Sequence, residues 1–145
     1  MGRIVIVGYR PKAGKREALR RLILDHVAIL RSQGLVTDRV PITMEAQDGT
    51  IVEVFEWKSK AAIESAHTNP AILEMWSQYS EVCDYVPVSD VPEGAQLFSE
   101  FTPVEGVRLE LGVDGGSAER TTRPRRKANG KTARKKARAA AQPGR

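Results

Sequence analysis

The chain has 145 residues, 41% of them hydrophobic, a formal net charge of +5 and a single cysteine, Cys83. That length suits one ordinary domain rather than two with a linker, and apolar runs such as Ile4-Val5-Ile6-Val7 fall far short of the roughly eighteen residues of a membrane span. One thiol cannot close an internal disulfide, and no apolar leader precedes the first strand-like segment, so the sequence predicts a reducing, cytoplasmic setting.

Residues 3–10 read as a strand through their β-branched run and Tyr9. Pro11 and Gly14 then punctuate a turn. Residues 15–33 carry Leu19, Leu22, Ile23, His26 and Leu30 at helical spacing, with Arg16, Arg20, Arg21 and Arg31 towards the other side and Gly34 placed to end the helix. Residues 35–45 alternate, with Val36, Val40, Ile42 and Met44 expected on one face, and Asp48-Gly49 supplies a hairpin turn. In the returning strand, 50–57, Ile51, Phe55 and Trp57 share one face and Val52 and Val54 the other. Ser59 is placed to cap a short helix over 59–67, Asn69-Pro70 interrupts it, and a second helix over 71–83 buries Ile72, Leu73, Trp76 and Tyr79. Residues 84–94 read as a loop, 95–102 as a last strand and 103–113 as a short extension.

The order is β-α-β-β-α-β, the ferredoxin-like split βαβ pattern of the α+β class: an antiparallel sheet with helices on one face. Its other face is too apolar for water, so a second copy stacking on it is expected, making a homodimer. Residues 1–113 carry a net charge of −4 and residues 114–145 one of +9. From residue 115 onward no aromatic or branched aliphatic side chain is present to bury, and disorder is expected there. The domain is thus placed at 1–105, an extension at 106–114 and a basic tail at 115–145.

Residues 8–16, GYRPKAGKR, fail as a phosphate loop: Tyr9 stands where a glycine is required, and Arg16 replaces the magnesium-holding hydroxyl. His26 and His67 lie on the inward stripes of two helices expected on the same sheet face. They are read either as lining one cleft, where imidazole serves as base or hydrogen-bond anchor, or as ordinary core residues. Neither has a metal-ligand spacing, and no metal is expected. Tyr9, Phe55, Trp57, Trp76 and Tyr79 are core aromatics that also suit the walls of a site for a flat organic ligand. Cys83 has no basic neighbour in sequence to lower its pKa, so packing is its expected role.

The segments IVIVGYRPKAGKREAL, VFEWKSKAAIESAHTNPAILEMW and QLFSEF resemble the antibiotic-biosynthesis monooxygenase (ABM) family of dimeric α/β-barrel proteins. The resemblance spans residues 3–101, and Trp57 followed by His67-Thr68-Asn69-Pro70 is its most specific part. It implies a homodimer with a pocket between helices and sheet in each subunit, and monooxygenation without a cofactor of a quinol, an anthrone or another aromatic small molecule. His67 would then be the base or anchor, His26 a second polar contact, and Tyr9, Phe55, Trp57, Trp76 and Tyr79 the substrate walls. Heme-degrading relatives share the tryptophan and histidine but use an asparagine in the first strand, where this chain has only Ile and Val.

A second reading is a non-catalytic dimeric ligand-binding protein whose tail holds nucleic acid or another polyanion. Arg123, Arg125, Arg126, Lys127, Lys131, Arg134, Lys135, Lys136 and Arg138 would make the contacts, by neutralising phosphate charge.

Overall fold

A computed structural model describes residues 1–112. The five strands are β1 (Arg3–Pro11), β2 (Ile42–Glu45), β3 (Ile51–Trp57), β4 (Cys83–Val86) and β5 (Thr102–Pro103). The four α-helices are α1 (Arg16–Ile23), α2 (His26–Ser32), α3 (Lys60–Ala66) and α4 (Pro70–Val82). One antiparallel sheet in the order β4-β1-β3-β2-β5 results, an α+β arrangement compatible with the ferredoxin-like pattern.

The register divides the sheet into two faces. Val5 stands opposite Phe55, Val7 opposite Glu53 and Tyr9 opposite Ile51, and this face packs on Leu19, Ile23, Val27, Ile72, Trp76 and Tyr79 of the helices. The outer face carries Ile4, Ile6, Val52, Val54, Ile42 and Met44. Residues 87–101 cover part of it: Val91 joins Val52 and Ala46 in a second small core, with Val88 and Phe101 against it. The rest is open. Ile6, Val54 and Ile42 form a cross-strand row, and Ile4, Ile6 and Ile42 are 58%, 53% and 59% exposed.

Local chemistry sets the element ends. The Ser59 side chain accepts from the Ala62 amide at 3.0 Å, and Asn69 Oδ1 accepts from the amides of Ala71 and Ile72, with Pro70 at the first helical position. Gly34 stops α2 at a φ of 69°, where a side chain would be strained. At Gly8 the reason is space: a Cβ there would lie 2.6 Å from the Val86 carbonyl oxygen.

Three expectations are corrected. The helix expected over 15–33 is two, because the Leu24 carbonyl accepts from the Arg108 amide and Asp25 bonds the Arg108 side chain, which interrupts the ladder. The strand expected over 35–45 pairs only from Ile42 onward. Val36 makes an isolated bridge to Trp57, then the polar segment ending at Pro41, which has no amide to donate, breaks the alternation. Val36 is therefore buried while Val40 and Ile42 are exposed. Finally, the strand closing the sheet beside β1 is Cys83–Val86, at the end of the expected helix and the start of the expected loop, and not 95–102. Of the latter only Thr102 pairs, on the far edge, and Leu97 and Phe98 are exposed. Four residues are too few to display a period, so only the available edge of β1 identifies β4.

Candidate functional site

The sheet's inner face is apolar except at one point near its centre. Strand alternation forces Glu53 inward together with Ile51, Phe55 and Trp57, and no part of it reaches solvent. A lone buried carboxylate is costly, so its partners matter. Glu53 Oε1 lies 2.7 Å from His26 Nδ1 and accepts from the Tyr9 hydroxyl at 3.1 Å. Tyr9 comes from β1 and His26 is the first residue of α2, so strand, strand and helix each supply one member. All three are 0–1% exposed.

Aromatic rings enclose the group. The His26 ring packs edge-on against Tyr9, Phe55 and Tyr79, with centroids 5.4–5.9 Å apart. Burial, then the nearby Glu53 charge, hold the phenols of Tyr9 and Tyr79 well above their ordinary pKa. Both are therefore neutral O–H groups at physiological pH. Glu53 Oε2, the hydroxyl of the neighbouring Tyr79 and Oγ1 of Thr43, opposite Glu53 in the strand register, are buried without a hydrogen-bond partner.

Chemically the arrangement is an oriented imidazole. In the tautomer whose Nδ1–H donates to Glu53 Oε1, the lone pair resides on Nε2, the arrangement suited to a base. Tyr9 keeps Glu53 occupied on the same oxygen and fixes its rotamer.

The structure places the expected residues as follows. His26, Tyr9, Phe55 and Tyr79 come together around Glu53. Trp57 packs on Phe55 at 5.4 Å, one ring further out. His67 is corrected: it is exposed, not inward, and caps the end of α3, with Nδ1 2.9 Å from its own Ile63 carbonyl and its ring against Trp76. The turn that ends α3 rotates it off the inward stripe, and the two histidines have different ring neighbours. Glu53 was absent from the expected set. Its signal was a carboxylate at an inward position of an otherwise apolar alternation.

Cys83 is buried, donates to the Tyr79 carbonyl, and burial next to Asp84 pushes its thiol up to about 12 against the opposing pull of Lys12. It is no nucleophile. Among the described residues no group of three or more His, Cys, Asp or Glu is placed to hold a metal ion, and no helix is long and apolar enough to cross a membrane. The nine expected polyanion contacts from Arg123 to Arg138 lie outside the described residues.

No protein-family model matches the chain, and no curated protein matches it. Among solved structures it is similar to that of Rv0793 from Mycobacterium tuberculosis, with 22% identity over 59% of this chain and 89% of that one, at a TM-score of 0.49.

Proposed function

We propose that this chain is a homodimeric oxygenase of the ABM kind, acting without a cofactor on a quinol- or anthrone-like phenol, with His26 as its base. The observation that carries this reading is the buried His26–Glu53–Tyr9 group, an oriented imidazole inside an aromatic shell. The substrate gives a proton to His26 Nε2, and the resulting carbanion bonds to O₂. The peroxide anion so formed takes the proton back from His26, and the resulting hydroperoxide loses water, so that a ring CH₂ and O₂ become C=O and H₂O. Glu53 stabilises the transient imidazolium, and the apolar walls keep water from the carbanion. The unpartnered Tyr79 hydroxyl, whose ring packs on His26, is the donor suited to a substrate oxygen.

Oxygen uptake with an anthrone tests the reading. His26→Phe is expected to lower the rate by about a hundredfold or more, as for loss of a general base, and His67→Ala to leave it near wild type. Full activity in His26→Phe removes His26 from the mechanism.

The basic segment supports a second, compatible reading, contact with nucleic acid. Residues 120–145 carry 11 positive and no negative side chains. Binding to duplex DNA is expected to weaken steeply with salt, and to vanish on deletion of 115–145. Binding that survives the deletion overturns it, since the rest of the chain is acidic.

A further inference from the structure

Away from the His26–Glu53–Tyr9 group, Glu45, Gln47, Glu93, Glu100, Phe101 and Thr102 line a cleft of about 320 Å³. Glu45 is already matched there, by Arg16 at 2.9 Å and Arg20 at 3.1 Å. Glu93 is not. It is 6% exposed, and its Oε2 accepts from the Gln47 amide at 2.9 Å. Its Oε1 has neither a hydrogen bond nor a cation among the described residues. A carboxylate so deeply placed is costly until a cation or further donors complete it. Glu100 lines the same cleft, exposed and equally without a cation among the described residues. Phe101 adds an aromatic wall, which suits a guanidinium as well as an ammonium group.

The order of charges along the chain supplies the occupant. Residues 61–107 carry eight carboxylates and no Lys or Arg. Among the described residues none of those eight is in an ion pair. The compensating charge comes afterwards, as 11 positive and no negative side chains over 120–145. Chain length lets the two meet. Thr102 at the cleft and Gly112 are ten residues apart, so no more than about 36 Å. From Gly112 to Arg125 the chain can span about 43 Å. Arg125 and the basic residues after it can therefore return to the cleft.

We propose that Lys and Arg side chains of residues 120–145 dock in this cleft of their own chain, on Glu93 and Glu100. Tethering presents them at an effective concentration on the order of millimolar, so a weak site fills. Pairs of this kind are screened by salt, which keeps the hold reversible. The same side chains serve the contact with nucleic acid, so the two uses exclude each other. A docked segment lowers the apparent affinity for nucleic acid in proportion to the fraction left undocked. The docking stands apart from the oxygenase reading, and only this last consequence rests on the nucleic-acid reading.

Two measurements on the full chain test it. Carbodiimide at low salt joins a carboxylate to a lysine amine in contact with it, and mass spectrometry locates the link. Links from Glu93 or Glu100 to Lys127, Lys131, Lys135 or Lys136 are expected within one chain, as shown by mixing isotope-labelled and unlabelled protein. Links spread equally over exposed Glu64 and Glu74, or only between labelled and unlabelled chains, overturn docking on the chain's own cleft. The second measurement is affinity for a short DNA duplex at low salt. Glu93→Gln/Glu100→Gln is expected to bind about fivefold more tightly than Glu64→Gln/Glu74→Gln, which removes the same charge elsewhere. Equal affinities in the two variants overturn the proposal. If the cleft variant does not fold, or no DNA binds at all, the wild-type links decide, and absence of binding then sinks the nucleic-acid reading alone.

Discussion

Glu53 projects a carboxylate into a layer otherwise built from Ile51, Phe55, Trp57 and Tyr9, and three groups depend on one another there. Removing the carboxylate leaves both the His26 N–H and the Tyr9 O–H buried without an acceptor. Each orphaned donor costs about 1–3 kcal/mol. Glu53→Ala is therefore expected to lower the unfolding free energy by about 3 kcal/mol or more, read from urea denaturation. Glu53→Gln keeps an acceptor oxygen and is expected to lose less than half as much. Equal losses in the two variants would mean that side-chain volume, not hydrogen bonding, is what Glu53 contributes.

At the scale of elements, the helices are held by their ends as much as by their faces. Asn69 caps α4 through two backbone amides and reaches back to Gln33 beside the end of α2, tying the start of one helix to the end of another. Asn69→Ala is expected to cost about 1–2 kcal/mol, the usual value of such a cap, with the midpoint of thermal unfolding as the measurement. Asn69→Asp, which keeps the capping oxygen, is expected to recover most of it. A loss well under 0.5 kcal/mol in the alanine variant, on that about 1 kcal/mol scale, would mean that Pro70 and packing suffice to start the helix. Close approach shapes the other edge, where β1 admits β4 only because Gly8 has no Cβ to strike the Val86 carbonyl.

The outer face governs the molecule as a whole. Residues 87–101 cover one end and leave the Ile6–Val54–Ile42 row and Ile4 facing solvent. A contiguous apolar patch on a sheet is what a second sheet would cover, and this is what supports the homodimer. The double variant Ile6→Lys/Ile42→Lys is expected to sediment at half the wild-type mass, with the His26 site and far-ultraviolet circular dichroism unchanged. A wild type that sediments at the mass of a single chain removes the dimer from the proposal.

The sequence by itself determined the elements that carry a strong period or a chemical stop. The inward face of β3, the Ser59 cap, the Asn69-Pro70 start and the Gly34 end all follow from side-chain alternation or from which groups satisfy free amides, and each stands where those local rules put it. His26 at the centre of the α1–α2 stripe was legible for the same reason. Tertiary structure alone decided the rest. Cys83–Val86 is a strand because β1 offers an edge, and 95–102 is not one because little edge remains for it. The helix over 15–33 breaks because Arg108, more than eighty residues away, takes its hydrogen bonds. Glu53 gains its role only when β1, β3 and α2 converge on it. Periodicity records which way a side chain points. Which groups meet there is set by long-range pairing, and that leaves no local mark.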